Sequence, residues 1–271
     1  MNNPRATEVL IVCSDLHCGS DVGLAPPQTE TKSGNIVTHG NNLHQAWLWE
    51  MWLLGLARVE EIIGKSKAAL LVNGDATEGV HHRNEASTLA ALIETHVEMA
   101  RVCLEPLAKL CHKRFVTLGT ECHTKHMEDN LAAALKAESG KARNEWLIEI
   151  NGCLIDAKHH MSVSGRAHLE ASAMSILMGN AVLNRARNKQ RIPDIFLRAH
   201  RHCGGHYTDN TRLFGVTGAW QFLTRHGFKV VPDSIPQPTI LVLDWRGKKY
   251  GELPDTKPIK FDQPQSEITT I

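Results

Sequence analysis

Asp15-x-His17, Asp75, Glu121 with His123, His159-His160 and His200-x-His202 each stand just past a short apolar run of the chain. Carboxylate oxygens and imidazole nitrogens are the donor set suited to zinc, manganese or iron, and more than six of them exceed what one tetrahedral ion can use. Two ions are the simplest reading. Two divalent ions about 3.5–4 Å apart clamp the attacking and leaving oxygens of an in-line phosphoryl displacement and lower the pKa of a bridging water toward neutrality. The chemistry expected is therefore hydrolysis of a phosphate ester. The histidine content points the same way, with 16 in the chain, several of them in doublets or at i, i+2 spacing.

The elements that must position these groups read as strand, loop, helix in alternation. Glu8–Ser14 (EVLIVCS), Ala68–Asn73 (AALLVN) and Arg114–Leu118 (RFVTL) are short β-branched or aliphatic runs that end in polar clusters, as buried strands do. Leu43–Gly64 carries apolar residues at helical spacing with Gly64 as a stop, Ala86–Cys111 reads as one or two helices, and Glu128–Glu138 as another. This alternation predicts a parallel sheet. After Gly140 the pattern changes: EWLIEI and CLIDAK flank Asn151-Gly152, the dipeptide most typical of a two-residue hairpin, so a second, partly antiparallel sheet begins there. A helix over Leu169–Asn188 and strands at Asp194–Ala199, Gly205–Thr208, Leu213–Thr217 and Thr239–Trp245 follow. Residues 19–42, rich in Gly, Pro, Thr and Asn, read as a long loop insertion at the active site of one domain spanning residues 1–271.

Lys plus Arg number 30 against Asp plus Glu 29, a net charge of +1, which offers no global pull toward nucleic acid or an anionic membrane. One local cluster, Arg185, Arg187, Lys189 and Arg191, keeps a nuclease among the options. No window reaches the roughly 18 apolar residues that a membrane span needs, and the seven cysteines form no C-x-x-C pair. A soluble, cytoplasmic protein with reduced thiols is expected. Trp47, Trp49 and Trp52 on the first helix read as packing rather than as a base-stacking platform, and His39, His44, His96, His112, His168 and His226 as surface or core residues.

In order, the series D-x-H, then G-D, then a glycine-led turn with a histidine, then a lone His, then a terminal pair resembling G-H-x-H, here Ala199-His200-Arg201-His202, resembles the calcineurin-like metallophosphoesterases from Asp15 to His202. The resemblance implies an α/β fold, a four-layer α/β/β/α sandwich of two mixed sheets with helices outside. It implies that Asp15, His17 and His202 hold one metal, that Asp75 bridges both, and that His200 with His159, or else His160, holds the second. The family's G-N-H-[DE] is here Gly119-Thr120-Glu121-Cys122-His123. Glu121 is the candidate to replace the family's Asn oxygen, ahead of Thr120, and an added carboxylate favours a hard cation such as manganese over zinc, iron or nickel. His123 then corresponds to the family's non-ligand histidine, a group that protonates a leaving oxygen.

His81-His82-Arg83 follow Asp75 closely enough to contact a bound phosphate. The expected reaction is attack by a metal-bridging hydroxide on a phosphate ester, a phosphodiester by preference, with a nucleotide or nucleic acid among the candidate substrates and no membrane partner. The competing expectation is a catalytically silent member that uses the same surface as a metal-binding interaction module. A near-complete ligand set favours the enzyme. No Walker-type phosphate loop, G-x-S-x-G elbow or H-E-x-x-H pair competes with this reading.

Overall fold

In the computed structural model of the chain, residues 6–31, 33–38, 42–81, 87–90, 92–124, 127–161, 170–209, 211–231 and 234–264 are described. Strands Val9–Cys13 (β1) and Ala68–Val72 (β4) are buried at every position and pair in parallel, as expected of runs covered on both faces. Cys111–Val116 (β5) joins β4 in parallel, while Thr239–Asp244 (β11) and Asp255–Lys260 (β12) add antiparallel strands, for the order β12-β11-β1-β4-β5.

The second sheet is built from Trp146–Ile150 (β6), Cys153–Ala157 (β7), Ile195–Arg198 (β8), Gly205–Thr208 (β9) and Leu213–Val216 (β10), in the order β6-β7-β8-β10-β9. Asn151 and Gly152 join β6 to β7 with φ of 50° and 80°, the positive pair that a type I′ hairpin turn requires.

Alternation along β1 shows the layering. Val9, Ile11 and Cys13 pack into a cluster with the first two helices, Leu43–Ile63 (α1) and Ile93–Leu110 (α2), whereas Leu10 and Val12 face Ile155, Ile195 and Leu197 of the other sheet. A third cluster, of Met174, Met178, Phe196, Phe214 and Val216, seats helix Glu170–Arg187 (α5) on the outer face of the second sheet. Three apolar interfaces thus separate four layers, the α/β/β/α sandwich expected.

Trp52 and Trp220 are fully buried and meet edge to face with ring centroids 4.7 Å apart, the packing role expected for the helix tryptophans. His96 is likewise a core residue, its Nε2 2.9 Å from the carbonyl of Ala90.

Three features depart from the sequence reading. Residues 19–42 contain a small hairpin, Gln28–Glu30 (β2) with Ile36–Thr38 (β3), whose Thr29 is buried. The edge strand β12 went unread because its residues are mostly exposed and Pro258 interrupts it. The basic cluster is not a free stripe either. Arg185 donates to Glu145 and Asp156, at 2.6 and 3.0 Å, and Arg191 pairs with Glu149 and the Gly152 carbonyl.

Candidate metal centre

Five of the parallel strands end in the same place. The turn after β1 delivers Asp15 and His17, that after β4 delivers Asp75, that after β5 Thr120 and His123, that after β7 His159 and His160, and that after β8 His200 and His202. Carboxyl ends of parallel strands are where an open α/β sheet gathers its chemistry.

The backbone there is unusual. Asp15, His17, Asp75, His200 and His202 all have positive φ, between 47° and 73°. Such conformations in residues other than glycine cost of order 1–3 kcal/mol each and persist where the surroundings over-determine them, typically at functional sites. Two glycines make the close approach feasible. A Cβ on Gly119 would lie 2.1 Å from Asp75 Oδ1, and one on Gly74, at φ 82°, would lie 2.5 Å from His159 Nδ1.

Among the described residues four overlapping groups of donor atoms result. Asp15, His17 and His202 form the first, Asp15, Asp75 and His159 the second, His159, His160 and His200 the third, and His17, Glu78 and His123 the fourth. Asp15 Oδ1 lies 3.6 Å from His202 Nε2 and 4.0 Å from both His17 Nε2 and His159 Nε2. That oxygen is buried and has no hydrogen-bond partner. A buried carboxylate oxygen facing three imidazole nitrogens and bonded to none is an unsatisfied group of the kind a cation resolves, so the residues present fit a divalent metal.

Asp15 is the residue shared by the first two groups. Its other oxygen accepts from Ser14 Oγ at 2.5 Å and from the backbone N–H of His200 at 3.3 Å.

Thr120 stands at the centre of the second cluster. Its N–H and Oγ1 donate to the two oxygens of Asp75, at 2.6 and 2.8 Å, and Oγ1 lies 3.2 Å from His200 Nδ1. Glu121 is exposed on the first turn of the short helix Glu121–Thr124 (α3) and enters none of these groups, which corrects the order of preference between the two. Tertiary placement decides it: the helix starts one residue past Thr120 and carries Glu121 outward.

Charge is distributed unevenly. Burial lowers the pKa of His202 to about 3 and that of His200 to about 4, helped by neighbouring imidazoles, so both are neutral and able to ligate. Burial opposes charge on His159 too, yet the Asp75 and Asp15 carboxylates outweigh it and hold its pKa at about 10. His159 Nδ1 donates to the Asn73 carbonyl at 2.7 Å, which leaves Nε2 facing Asp75 Oδ2 at 2.9 Å. His160 is exposed, with its ring 4.9 Å from that of His200.

A carboxylate that the motif pattern did not flag lies behind the first group. Glu78, only 4% exposed, takes His17 Nδ1 on Oε2 at 2.9 Å and His81 Nε2 on Oε1 at 3.1 Å. His123 reaches the same place, its Nδ1 donating to the Glu78 backbone carbonyl at 2.9 Å and its ring 4.9 Å from His17. His81 therefore belongs to the cluster through Glu78, while His82 and Arg83 lie outside the described residues. The available signal was the spacing Asp75-x-x-Glu78 in a turn that directly follows a buried strand.

Two mixed sheets packed face to face, helices on both outer faces, and D-x-H, G-D, a glycine-led turn, a histidine doublet and H-x-H arriving in order at one sheet edge settle the architecture. This is the four-layer α/β/β/α sandwich that the resemblance to the calcineurin-like metallophosphoesterases implies. No protein-family model and no curated protein sequence matches the chain. Among solved structures, Vps29 from Chaetomium thermophilum is similar with a TM-score of 0.44 at 10% identity, over 96% of this chain and 100% of that one. An archaeal phosphodiesterase gives 0.42 at 12% identity, over 93% and 99%. Vps29 from Entamoeba histolytica, complexed with zinc, gives 0.40 at 12% identity, over 94% and 98%. Scores this low add nothing to the metal centre, which rests on its own geometry. Among the described residues no helix is long and apolar enough to cross a membrane.

Proposed function

We propose that the chain is a metal-dependent phosphoesterase, with phosphodiesters as the preferred substrate class. The observation that carries this reading is the unpartnered, buried Asp15 Oδ1 facing His17, His202 and His159, with Asp75 and His200 beside them. Asp15, His17 and His202 would hold one cation, and Asp75, His159 and His200 the other, with Thr120 bracing Asp75. Bound divalent ions, manganese first among the candidates, would supply electrophilic stabilisation of the phosphoryl oxygens and a water of lowered pKa.

The chain's own residues do the rest. His123, intermediate in exposure, is held by its Nδ1, so its Nε2 is the atom able to carry a proton to a leaving oxygen. Burial lowers the His123 pKa, which makes it a more willing proton donor when protonated. Residues 1–271 act as one domain in this reading, with 19–42 as the insertion bordering the centre. Its stem is tied to the site by Leu24 N–H donating to the Leu16 carbonyl at 3.1 Å.

The test is hydrolysis of bis-p-nitrophenyl phosphate against p-nitrophenyl phosphate with added manganese, for wild type, Asp75→Asn and His123→Ala. Manganese-dependent diester cleavage that both variants lose is the expected result. Stoichiometric metal binding with no turnover of either ester would replace the enzyme by a metal-binding interaction module.

A further inference from the structure

Asp75 and Glu78 leave the same turn after β4, three residues apart, and point into different parts of the site. Asp75 groups with Asp15 and His159, whereas Glu78, buried, groups with His17 and His123 and has its two carboxylate oxygens taken by different imidazoles, Oε2 by His17 Nδ1 and Oε1 by His81 Nε2. Gln221 Nε2 also donates to Oε2, at 3.2 Å. Three N–H groups thus converge on one buried carboxylate, with a geometric consequence for His17.

A carboxylate only accepts hydrogen bonds, so His17 must present Nδ1 as N–H, and in the neutral ring that ligates a metal the lone pair is then on Nε2. That Nε2 faces the first metal group, 3.2 Å from His202 Nε2 and 4.0 Å from Asp15 Oδ1. Carboxylate–imidazole pairing of this kind fixes a ligand's tautomer and ring orientation and raises its basicity. The turn is placed for the task by Gly79, at φ 70°, where a Cβ would lie 2.4 Å from the His123 carbonyl oxygen.

We infer that Glu78 is a positioning residue for the metal centre, holding His17 in the Nδ1–H tautomer so that Nε2 is the ligating atom. The inference rests on the metal-centre reading above and extends it to a residue outside the ligand set. His81, bonded to the other oxygen of Glu78 and with its ring 4.1 Å from that of His123, braces the carboxylate from the opposite side.

The test uses the full chain with zinc, which is diamagnetic, and reads binding and structure rather than turnover. Titration calorimetry with zinc on wild type, Glu78→Gln and Glu78→Asp is expected to show a loss of about 10–100-fold in affinity for Glu78→Gln at the site that contains His17. Glu78→Asp, which keeps the carboxylate, should recover part of that loss. Long-range 1H–15N spectra of zinc-loaded wild type should show His17 with a protonated Nδ1 and a metal-bound Nε2, an arm that holds even where Glu78→Gln fails to fold. Equal zinc affinity in wild type and Glu78→Gln, or His17 protonated at Nε2 in the loaded protein, would overturn the role of Glu78 alone. Wild type that takes up no zinc or manganese would overturn the metal-centre reading and this inference with it.

Discussion

His159 Nε2 sits 2.9 Å from Asp75 Oδ2, and both side chains are almost wholly buried. In the metal-free protein this is an ion pair, because the Asp75 and Asp15 carboxylates, against the cost of burial, hold the His159 pKa at about 10, while His159 and its neighbours hold Asp75 well below its ordinary 3.8. A metal ligand must be deprotonated. Loading the centre at pH 8 should therefore release about one proton from His159, seen as a dependence of the calorimetric enthalpy on the buffer's ionisation enthalpy. An enthalpy identical in Tris and phosphate would show that His159 is not displaced from its proton.

The same pair sets the pH dependence of the metal-free fold. His159 has a folded pKa above its ordinary 6.5, so its contribution is complete below 6.5 and disappears as pH rises through about 10. Asp75 has a depressed folded pKa, so its contribution is present above 3.8 and disappears as pH falls through the folded value. In chelator, the pair's stabilisation should be greatest between about pH 4 and 6.5 and should fade toward pH 10, a trend absent from His159→Ala melts.

Thr120 and Glu121 give a paired comparison. Removing the Thr120 hydroxyl withdraws a donor from buried Asp75, at a cost of about 1–3 kcal/mol, and should weaken metal binding at the His159–His200 side. Glu121→Ala, at an exposed position outside the donor groups, should stay within about 0.5 kcal/mol and keep full metal affinity. Thermal melts with and without manganese decide between them, and a metal defect in Glu121→Ala rather than in Thr120→Ala would reverse the assignment.

Gly119 has room for no side chain. Gly119→Ala would put a carbon 2.1 Å from Asp75 Oδ1 and 2.3 Å from Asp75 N, so the turn must shift and Asp75 with it. Loss of metal binding in a protein whose far-ultraviolet circular dichroism is unchanged is the expected outcome. Gly179→Ala, in helix Glu170–Arg187 where a Cβ meets nothing within 4 Å, is the control and should bind metal like wild type.

Arg185 and Arg191 separate structure from surface charge. Arg185 donates to Asp156, which is 1% exposed and also pairs with buried Arg198 at 3.0 Å, so deleting Arg185 withdraws a charged hydrogen bond without leaving the carboxylate unpaired, at a cost of about 1.5–3 kcal/mol. Arg191 pairs with half-exposed Glu149, where solvent screens the pair and its loss should leave stability nearly unchanged. Melting temperatures of the two alanine variants should differ accordingly, and equal values would contradict the buried network.

The sandwich was legible because VLIVC and AALLV are uninterrupted apolar runs and Asn151-Gly152 names its own turn type. Most ligand candidates were legible too, since Asp15 and His200 stand two residues past such runs and His17 and His202 four. Their positive φ values were not, because nothing in Asp or His requires that conformation and only tertiary packing imposes it. Glu78 escaped for a related reason: a lone carboxylate in a turn reads as solvated until His17 and His81 are seen to converge on it from other parts of the chain. The ranking of Glu121 over Thr120 weighed chemistry at neighbouring positions without knowing which one the start of α3 would turn outward.

The most direct test is the metal content of the purified chain after dialysis against manganese and gel filtration, for wild type, His202→Ala and His159→Ala. The account predicts two equivalents in wild type and about one in each variant, each having lost the ion on its own side of Asp15. Less than one equivalent in wild type, or two retained in both variants, would contradict a metal centre built on these residues.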